Sequence, residues 1–239
     1  ILATILCDIK SNILFKYLIS IFLISFISLL LIAQPDIGQT LLVIFCWAVL
    51  IFTSGINIYI LLAIFIAGAS LLTYLIIYVP RFDYIQGRIF SFFNRETGTH
   101  NFQSDKAIES ITSGGFFGKG IGEGVLKNRV PEAHTDYIIS VISEEFGVVA
   151  IMLILLLFLI LIYMVFKKIS FETNDKVKLI LIGSISLILM QATIHIGVNI
   201  RLLPTTGMTL PFLSYGGSST ISTSILAGII LNLTKRKIT

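Results

Sequence analysis

Charge is the first thing this sequence has little of. Charged side chains make up 13% of its 239 residues and apolar ones 56%, whereas a soluble globular domain carries roughly 25% charge. Mean hydropathy is +0.97. A single soluble core of this size could not hide so much apolar surface, so a water-soluble fold is excluded and the bilayer is the expected solvent. Cysteine is nearly absent as well. Cys7 and Cys46 both lie in or beside apolar runs, which excludes a disulfide framework and a zinc ligand set and leaves two small hydrophobes. No H-E-x-x-H occurs, so zincin chemistry is excluded. No G-x-G-x-x-G occurs either. The glycine-rich SGGFFGKGIGEG (113–124) fails as a phosphate loop, because Ser113 stands where the first Gly is needed and Gly120 where a Ser or Thr must follow the Lys. Nucleotide binding goes with them, and a tightly turned or flexible loop is expected there. The formal charge of +4 would suit nucleic acid in a soluble protein. Here the cations cluster at the ends of apolar runs, as membrane topology requires, so no nucleic-acid partner is expected.

Long apolar runs are what the sequence has. Those at 14–33, 39–53, 57–79, 147–166, 177–199 and 219–233 predict six membrane spans, and 1–9 predicts the tail of a further helix. Pro35 and Gly38 mark a tight turn and Pro80 ends the third span. The chain opens inside an apolar run without an initiator Met and without the charged and small-residue pattern of a signal peptide. The expectation is a carboxy-terminal piece of a longer protein. The fold class predicted is all-α: a polytopic transmembrane helix bundle, six spans plus a partial amino-terminal helix, with 1–239 forming part of one integral membrane domain. Within it, 81–135 is expected as a large external loop and 136–239 as the last three helices. RFDYIQGRIFSFF, inside that loop, interleaves aromatics with charge as an interfacial amphipathic helix does.

Basic residues set the orientation. With Lys235, Arg236 and Lys237 in the cytoplasm, six spans place Lys10, Lys16, Lys167, Lys168, Lys176 and Lys178 inside too. The carboxy terminus is then cytoplasmic and the 81–135 loop extracytoplasmic, its basic residues nearly matched by acids. Polar residues also appear where lipid should be. Gln191, His195 and Asn199 share one helix face at i, i+4 and i+8, which predicts interhelical hydrogen bonds ahead of substrate contact. The Ser/Thr-rich start of the last span predicts close packing, with hydroxyls bonded to their own backbone. VPEAHTDYIISVISEEFG (130–147) sets Glu132, His134, Asp136, Glu144 and Glu145 at the border of polar and apolar segments. A carboxylate there is solvated, paired or used. Glu132, His134 and Asp136 could also hold a hard divalent cation, though spacing alone is weak support.

QPDIGQT, AIESITSGGFFGKGIG, VPEAHTDYIISVISEEFG and LLPTTGMTLPFLSYGGSS occur in that order, and together they resemble the FtsW/RodA/SpoVE (SEDS) family of bacterial peptidoglycan polymerases over essentially the whole chain. TLPFLSYGGSS is more similar to the cell-division branch than to the elongation branch. The resemblance implies a ten-helix inner-membrane protein of which this chain carries the last six spans. It implies polymerisation of lipid II, with polyprenyl-pyrophosphate-linked glycan as the growing strand, and the family's essential Asp falls on Asp136 of His134-Thr135-Asp136. The leaving group is a pyrophosphate that needs no protonation, so one carboxylate could suffice as general base, where glycosidases need two. Lys119, Arg129 and Arg201 are candidates to offset the pyrophosphate charge. His134, Ser214, Tyr215 and Gly216 are grouped with them as substrate-binding candidates, and Glu132, Glu144 and Glu145 as supporting ones. No cofactor is demanded, and a bound divalent cation is the alternative source of positive charge. The implied partners are a class B penicillin-binding transpeptidase and divisome proteins. Two other functions fit the same chain: a lipid II flippase or transporter, suggested by the polar stripe and the broken loop after Asn199, and a non-catalytic divisome scaffold. An acidic centre at the membrane face and not its midplane speaks against transport.

Overall fold

The structure, a computed structural model, describes residues 1–7, 13–93, 99–125 and 130–235. Arg129, one of the cationic candidates, lies outside the described residues. In chain order the helices are α1 (Leu2–Leu6), α2 (Ile13–Ala33), α3 (Ile37–Thr53), α4 (Ile58–Tyr78), α5 (Asp83–Phe93), α6 (Thr99–Gly114), α7 (Ile138–Phe171), α8 (Asp175–Asn199) and α9 (Gly217–Thr234), with a 3-10 turn at Pro80–Phe82. No strand occurs among the described residues. Five helices, α2, α4, α7, α8 and α9, are long and apolar enough to cross a membrane, while α3 is apolar but only 17 residues long.

Local chemistry accounts for the helix starts. Asp36, in QPDIGQT, caps α3 by accepting the Gln39 N–H at 2.9 Å, and Asn57 caps α4 by accepting the Tyr59 N–H at 2.9 Å. The chain divides into two compact units. One comprises Ile1–Phe82, Met164–Met190 and Ile225–Thr239, and the other Asp83–Tyr163 and Gln191–Ser224. In the first, α2 packs along α3, and Ile24, Trp47, Leu50, Ile51 and Leu179 are buried together. Trp47 donates its indole N–H to Ser20 and the Cys46 thiol meets the Gly183 carbonyl, so Cys46 packs as a buried small side chain. In the second, Ile139, Ala192 and Leu210 form the core.

Outside these cores, large apolar side chains stand exposed in numbers that water would not tolerate: Leu62, Ile66, Leu71 and Ile77 on α4, and Leu153, Leu156, Leu157 and Ile160 on α7. They are the surface expected against lipid. α8 differs, with 56% of its most apolar window buried.

The 81–135 segment departs from a simple loop. The amphipathic stretch forms α5 as its pattern predicts, and α6 follows it. α6 buries a row of small residues, Ser104, Ala107, Ser110 and Gly114, so its packing face carries almost no hydrophobic signal. That face lies on the start of α7. Ser110 donates to the Ser140 carbonyl at 3.2 Å, Ser143 donates to the Ile111 carbonyl at 3.3 Å, and a Cβ on Gly114 would lie 1.9 Å from the Ser143 oxygen.

α7 begins nine residues earlier than the apolar run predicts and is broken at Gly147, where φ is 74° and ψ −174°. The glycine-rich loop closes the break. The Glu144 and Glu145 carbonyls, orphaned by it, accept N–H groups from Lys119 at 2.8 Å and Gly120 at 3.0 Å. On the far side, the Val148 and Val149 N–H groups donate to the carbonyls of Gly115 (3.0 Å) and Phe116 (3.3 Å). A Cβ on Gly118 would sit 2.1 Å from the Glu145 oxygen and one on Gly147 2.2 Å from the Phe116 oxygen. Glycine is required here because two backbones touch, which a sequence read alone as a loop does not reveal.

Candidate active site

Asp136 stands two residues ahead of α7, in a turn built on one carbonyl. The oxygen of Glu132, a residue with a left-handed φ of 55°, accepts the N–H groups of Thr135 (3.1 Å), Asp136 (3.0 Å) and Tyr137 (3.3 Å). The Thr135 hydroxyl also donates to the Glu132 carboxylate at 3.0 Å. A non-glycine residue held at positive φ costs of order 1–3 kcal/mol and persists only when its surroundings fix it.

Two other segments do the fixing. From α8, the Asn199 side-chain amide donates to the Asp136 carbonyl at 3.0 Å and to the His195 carbonyl at 2.9 Å. From the loop before α9, the Ser214 hydroxyl donates to the Thr135 carbonyl at 2.7 Å and the Tyr215 N–H to the His134 carbonyl at 2.9 Å. That loop is itself held by the polar stripe of α8. His195 Nδ1 lies 2.7 Å from the Met208 carbonyl, and Gln191 donates to Thr209 and to Ser219. The stripe therefore serves hydrogen bonding, with loop backbone as its main partner. The hydroxyls of Thr220, Ser222 and Thr223 bond to their own helix, as expected.

The Asp136 carboxyl opens onto a cleft of about 180 Å³ lined by Arg88, Gln103, Asp136, Tyr137, Val198, Thr205, Gly207 and Met208. Arg88 reaches it from α5 and donates to the Thr205 carbonyl at 3.3 Å. Gly207, at φ 74°, brings its backbone against the carboxylate: a Cβ there would lie 3.6 Å from Asp136 Oδ2. Burial pushes the Asp136 carboxyl above the ordinary aspartate range, the negative charge of Glu132 adds to that rise, and Arg88 opposes it. A carboxylate of raised basicity beside a guanidinium can take a proton and attract an anion in the same small space.

The remaining expected residues fall into place around this cleft or away from it. Arg201, also at positive φ (58°), pairs with Asp105 and shares a smaller recess with Arg88, Ser104 and Thr205. Lys119 belongs to the glycine-rich loop, 3.5 Å from Glu144. Glu144 is fully buried and accepts from Ser110 at 3.0 Å, and Glu145 accepts the Gly122 N–H at 3.1 Å. Both glutamates thus anchor α6 and the loop to α7. Ser214 through its hydroxyl and Tyr215 through its N–H grip backbone carbonyls of the Asp136 turn, and Gly216 packs close to Thr209 and accepts from Thr220. His134 and Glu132 are exposed. Among the described residues no group of three or more His, Cys, Asp or Glu gathers as a metal site. Arg88, Gln103, Tyr137 and Thr205 line the cleft without being singled out by the sequence. Asn199 was visible only as part of a polar stripe, and Arg88 only as one charge in an amphipathic pattern.

An all-α chain with five helices fit to cross a bilayer and a carboxylate–arginine cleft just outside one of them is a multi-pass membrane protein with a polar site at its helix ends. The family model described as "Cell cycle protein", FtsW/RodA/SpoVE, matches residues 3–238, and the chain belongs to this family. It is 36% identical over 223 residues to the probable peptidoglycan glycosyltransferase FtsW of Caulobacter vibrioides, covering 90% of this chain and 55% of that protein. It is 38% identical over 221 residues to the protein of the same name from Francisella salina, covering 88% of this chain and 53% of that one. The chain thus spans a little over half the length of these curated relatives. A solved chain from work on the structural coordination of polymerization and crosslinking by a peptidoglycan synthase complex is similar with a TM-score of 0.78 at 28% identity, over 98% of this chain and 65% of that chain. The rod shape determining protein RodA of Thermus thermophilus is similar with a TM-score of 0.62 at 29% identity, over 98% of this chain and 60% of that one.

Proposed function

We propose that this chain is the part of a membrane-embedded peptidoglycan glycosyltransferase that carries the base for glycan polymerisation. The observation that carries the proposal is Asp136, a carboxylate of raised basicity facing a cleft that Arg88 also lines. In the reaction proposed, Asp136 Oδ takes the proton of the acceptor sugar's 4-hydroxyl while that oxygen attacks the anomeric carbon of the donor. The anomeric C–O bond breaks and its electron pair leaves with the polyprenyl pyrophosphate. Arg88 is the group best placed to meet that charge, with Arg201 in the adjoining recess. Lys119, bonded into the helix break, is placed for structure more than for the leaving group.

The substrate proposed is lipid II, the branch is cell division, and the partners are a class B penicillin-binding transpeptidase and divisome proteins. The names of the curated relatives and the synthase complex support this reading. We further propose six spans, α3 included, with the carboxy terminus cytoplasmic and Asp136 on the outer face, where flipped lipid-linked sugars arrive. The test is lipid II polymerisation by the full-length protein with its transpeptidase partner, native and Asp136→Asn. Loss of polymer by a variant that inserts normally supports the proposal, and near-native polymer yield overturns it.

A further inference from the structure

A cavity of about 580 Å³ lies in the first unit, in a part of the molecule that the Asp136 cleft does not use. Its walls come from the end of α1, the start of α2, the end of α3 and the start of α8. All four contribute helix ends, so the cavity sits at the level where a membrane's hydrocarbon gives way to headgroups, whichever way the protein is oriented.

The lining is amphipathic in depth. Leu6 and Leu179 are buried and Ile182 is half-buried, so the inner wall is apolar. Lys16 and Lys178 are half-buried and Lys176 is exposed, so the outer wall is cationic. Asp175 is the carboxylate among these residues. Its side chain is 83% exposed and lies 3.3 Å from Lys178. Among the described lining residues, three ammonium groups stand against one carboxylate, two net positive charges. Asn174 adds a donor: its Oδ1 accepts the Lys176 N–H at 3.0 Å, which leaves its NH2 group to serve a ligand.

Lys178 is paired with Asp175, and Lys16 and Lys176 add positive charge to the same rim. A plain solvated rim of topology-setting lysines would need no cavity beneath it. The combination of cations outside, an amide donor beside them and an apolar wall within matches a phosphate joined to something greasy. We propose that this cavity binds a phosphate-bearing anion, with the phosphodiester of an acidic phospholipid and a free phosphate or pyrophosphate as its two sources. The apolar inner wall would take the first carbons of an acyl chain, which a free anion lacks.

The experiment uses the full-length protein purified in detergent. Its unfolding temperature is followed while dioctanoyl phosphatidylglycerol, dioctanoyl phosphatidylcholine or sodium pyrophosphate is added. Stabilisation by phosphatidylglycerol above that by phosphatidylcholine identifies the lipid source, and stabilisation by pyrophosphate to the same extent identifies the free anion. In either case Lys176→Gln raises the half-saturating concentration about fivefold, and the triple change of Lys16, Lys176 and Lys178 to Gln removes the effect. The corresponding triple change to Arg retains it, which separates loss of charge from loss of fold. No shift with phosphatidylglycerol or pyrophosphate, or an equal shift in the triple Gln variant, overturns the proposal. None of these residues lines the Asp136 cleft, so polymerisation and anion binding fail or stand independently.

Discussion

Asn199, near the end of one membrane helix, donates its side-chain amide to the backbone carbonyl of Asp136 at 3.0 Å, 63 residues away in sequence. The bond goes to the main chain of the acid, not to its carboxylate. It sets where Asp136 sits without consuming the lone pairs that would take a proton. Replacing Asn199 by Ala leaves the Asp136 carbonyl without this donor, for an expected loss of about 1–3 kcal/mol in stability. Polymerisation should fall with kcat more affected than KM, because the residue acts on placement of the base. An unchanged kcat in a variant of lowered stability would show that the contact is structural alone.

Asp136→Asn is expected to lower polymerisation about 10²–10⁴-fold, the usual worth of a positioned general base. Its stability should move the other way. The folded state raises the pKa of Asp136, so the stability linked to its protonated form is present below the unfolded pKa and lost as pH rises through the folded one. The native protein loses that stability as Asp136 ionises, whereas a neutral Asn does not titrate. Thermal unfolding of the Asn variant at pH 7 should therefore occur at the native temperature or higher.

The acid limb of the kcat/KM–pH profile should lie above the ordinary aspartate range and should respond to neighbours with opposite signs. Glu132→Gln removes a negative charge that raises the Asp136 pKa, so the limb should shift to lower pH. Arg88→Gln removes a positive charge that lowers it, so the limb should shift to higher pH. Low ionic strength is the condition to use, since Glu132 is exposed and screened beyond roughly 10 Å at 0.1 M salt. Shifts of the same sign in the two variants would remove Asp136 as the group reporting on the profile.

Three glycine replacements separate backbone crowding from loop flexibility. Gly118→Ala and Gly147→Ala each force a Cβ within 2.2 Å of a backbone oxygen at positive φ, and both should abolish accumulation of folded protein. Gly87→Ala, helical and with nothing within 4 Å of the added carbon, should stabilise by about 0.5–1 kcal/mol. Expression with fluorescence-detected size exclusion distinguishes them. Normal folding of Gly118→Ala would mean that the loop does not hold the helix break.

What was legible in the sequence follows what each signal measures. Hydropathy reports transfer from water to lipid, and it placed the long helices to within a few residues, α7 excepted. The resemblance singled out Asp136 as the essential acid, and the structure puts that residue on a cleft. α6 was not legible because Ser104, Ala107, Ser110 and Gly114 pack by being small, and small polar residues carry no hydrophobic period. Arg88 was not legible because its role depends on where α5 lies relative to residue 205, a tertiary fact. Charge and motif membership single out Lys119, Ser214 and Tyr215 in the sequence, whereas their bonds to Glu144, Thr135 and His134 depend on the folded backbone and are not legible there.

The break at Gly147 has a consequence for helix phase. In an unbroken α-helix each residue is rotated about 100° from the last, so the side facing lipid dictates the angle at which every upstream residue leaves the axis. Beyond Gly147 the helix shows exposed Leu and Ile on most sides. Before it, Ile139, Ser140, Ser143 and Glu144 all turn inward. Since the glycine-rich loop supplies the hydrogen bonds missing at the break, the two stretches keep separate rotational settings. The bilayer orients one, and the protein interior, free of that constraint, aims the other and the acid at its head.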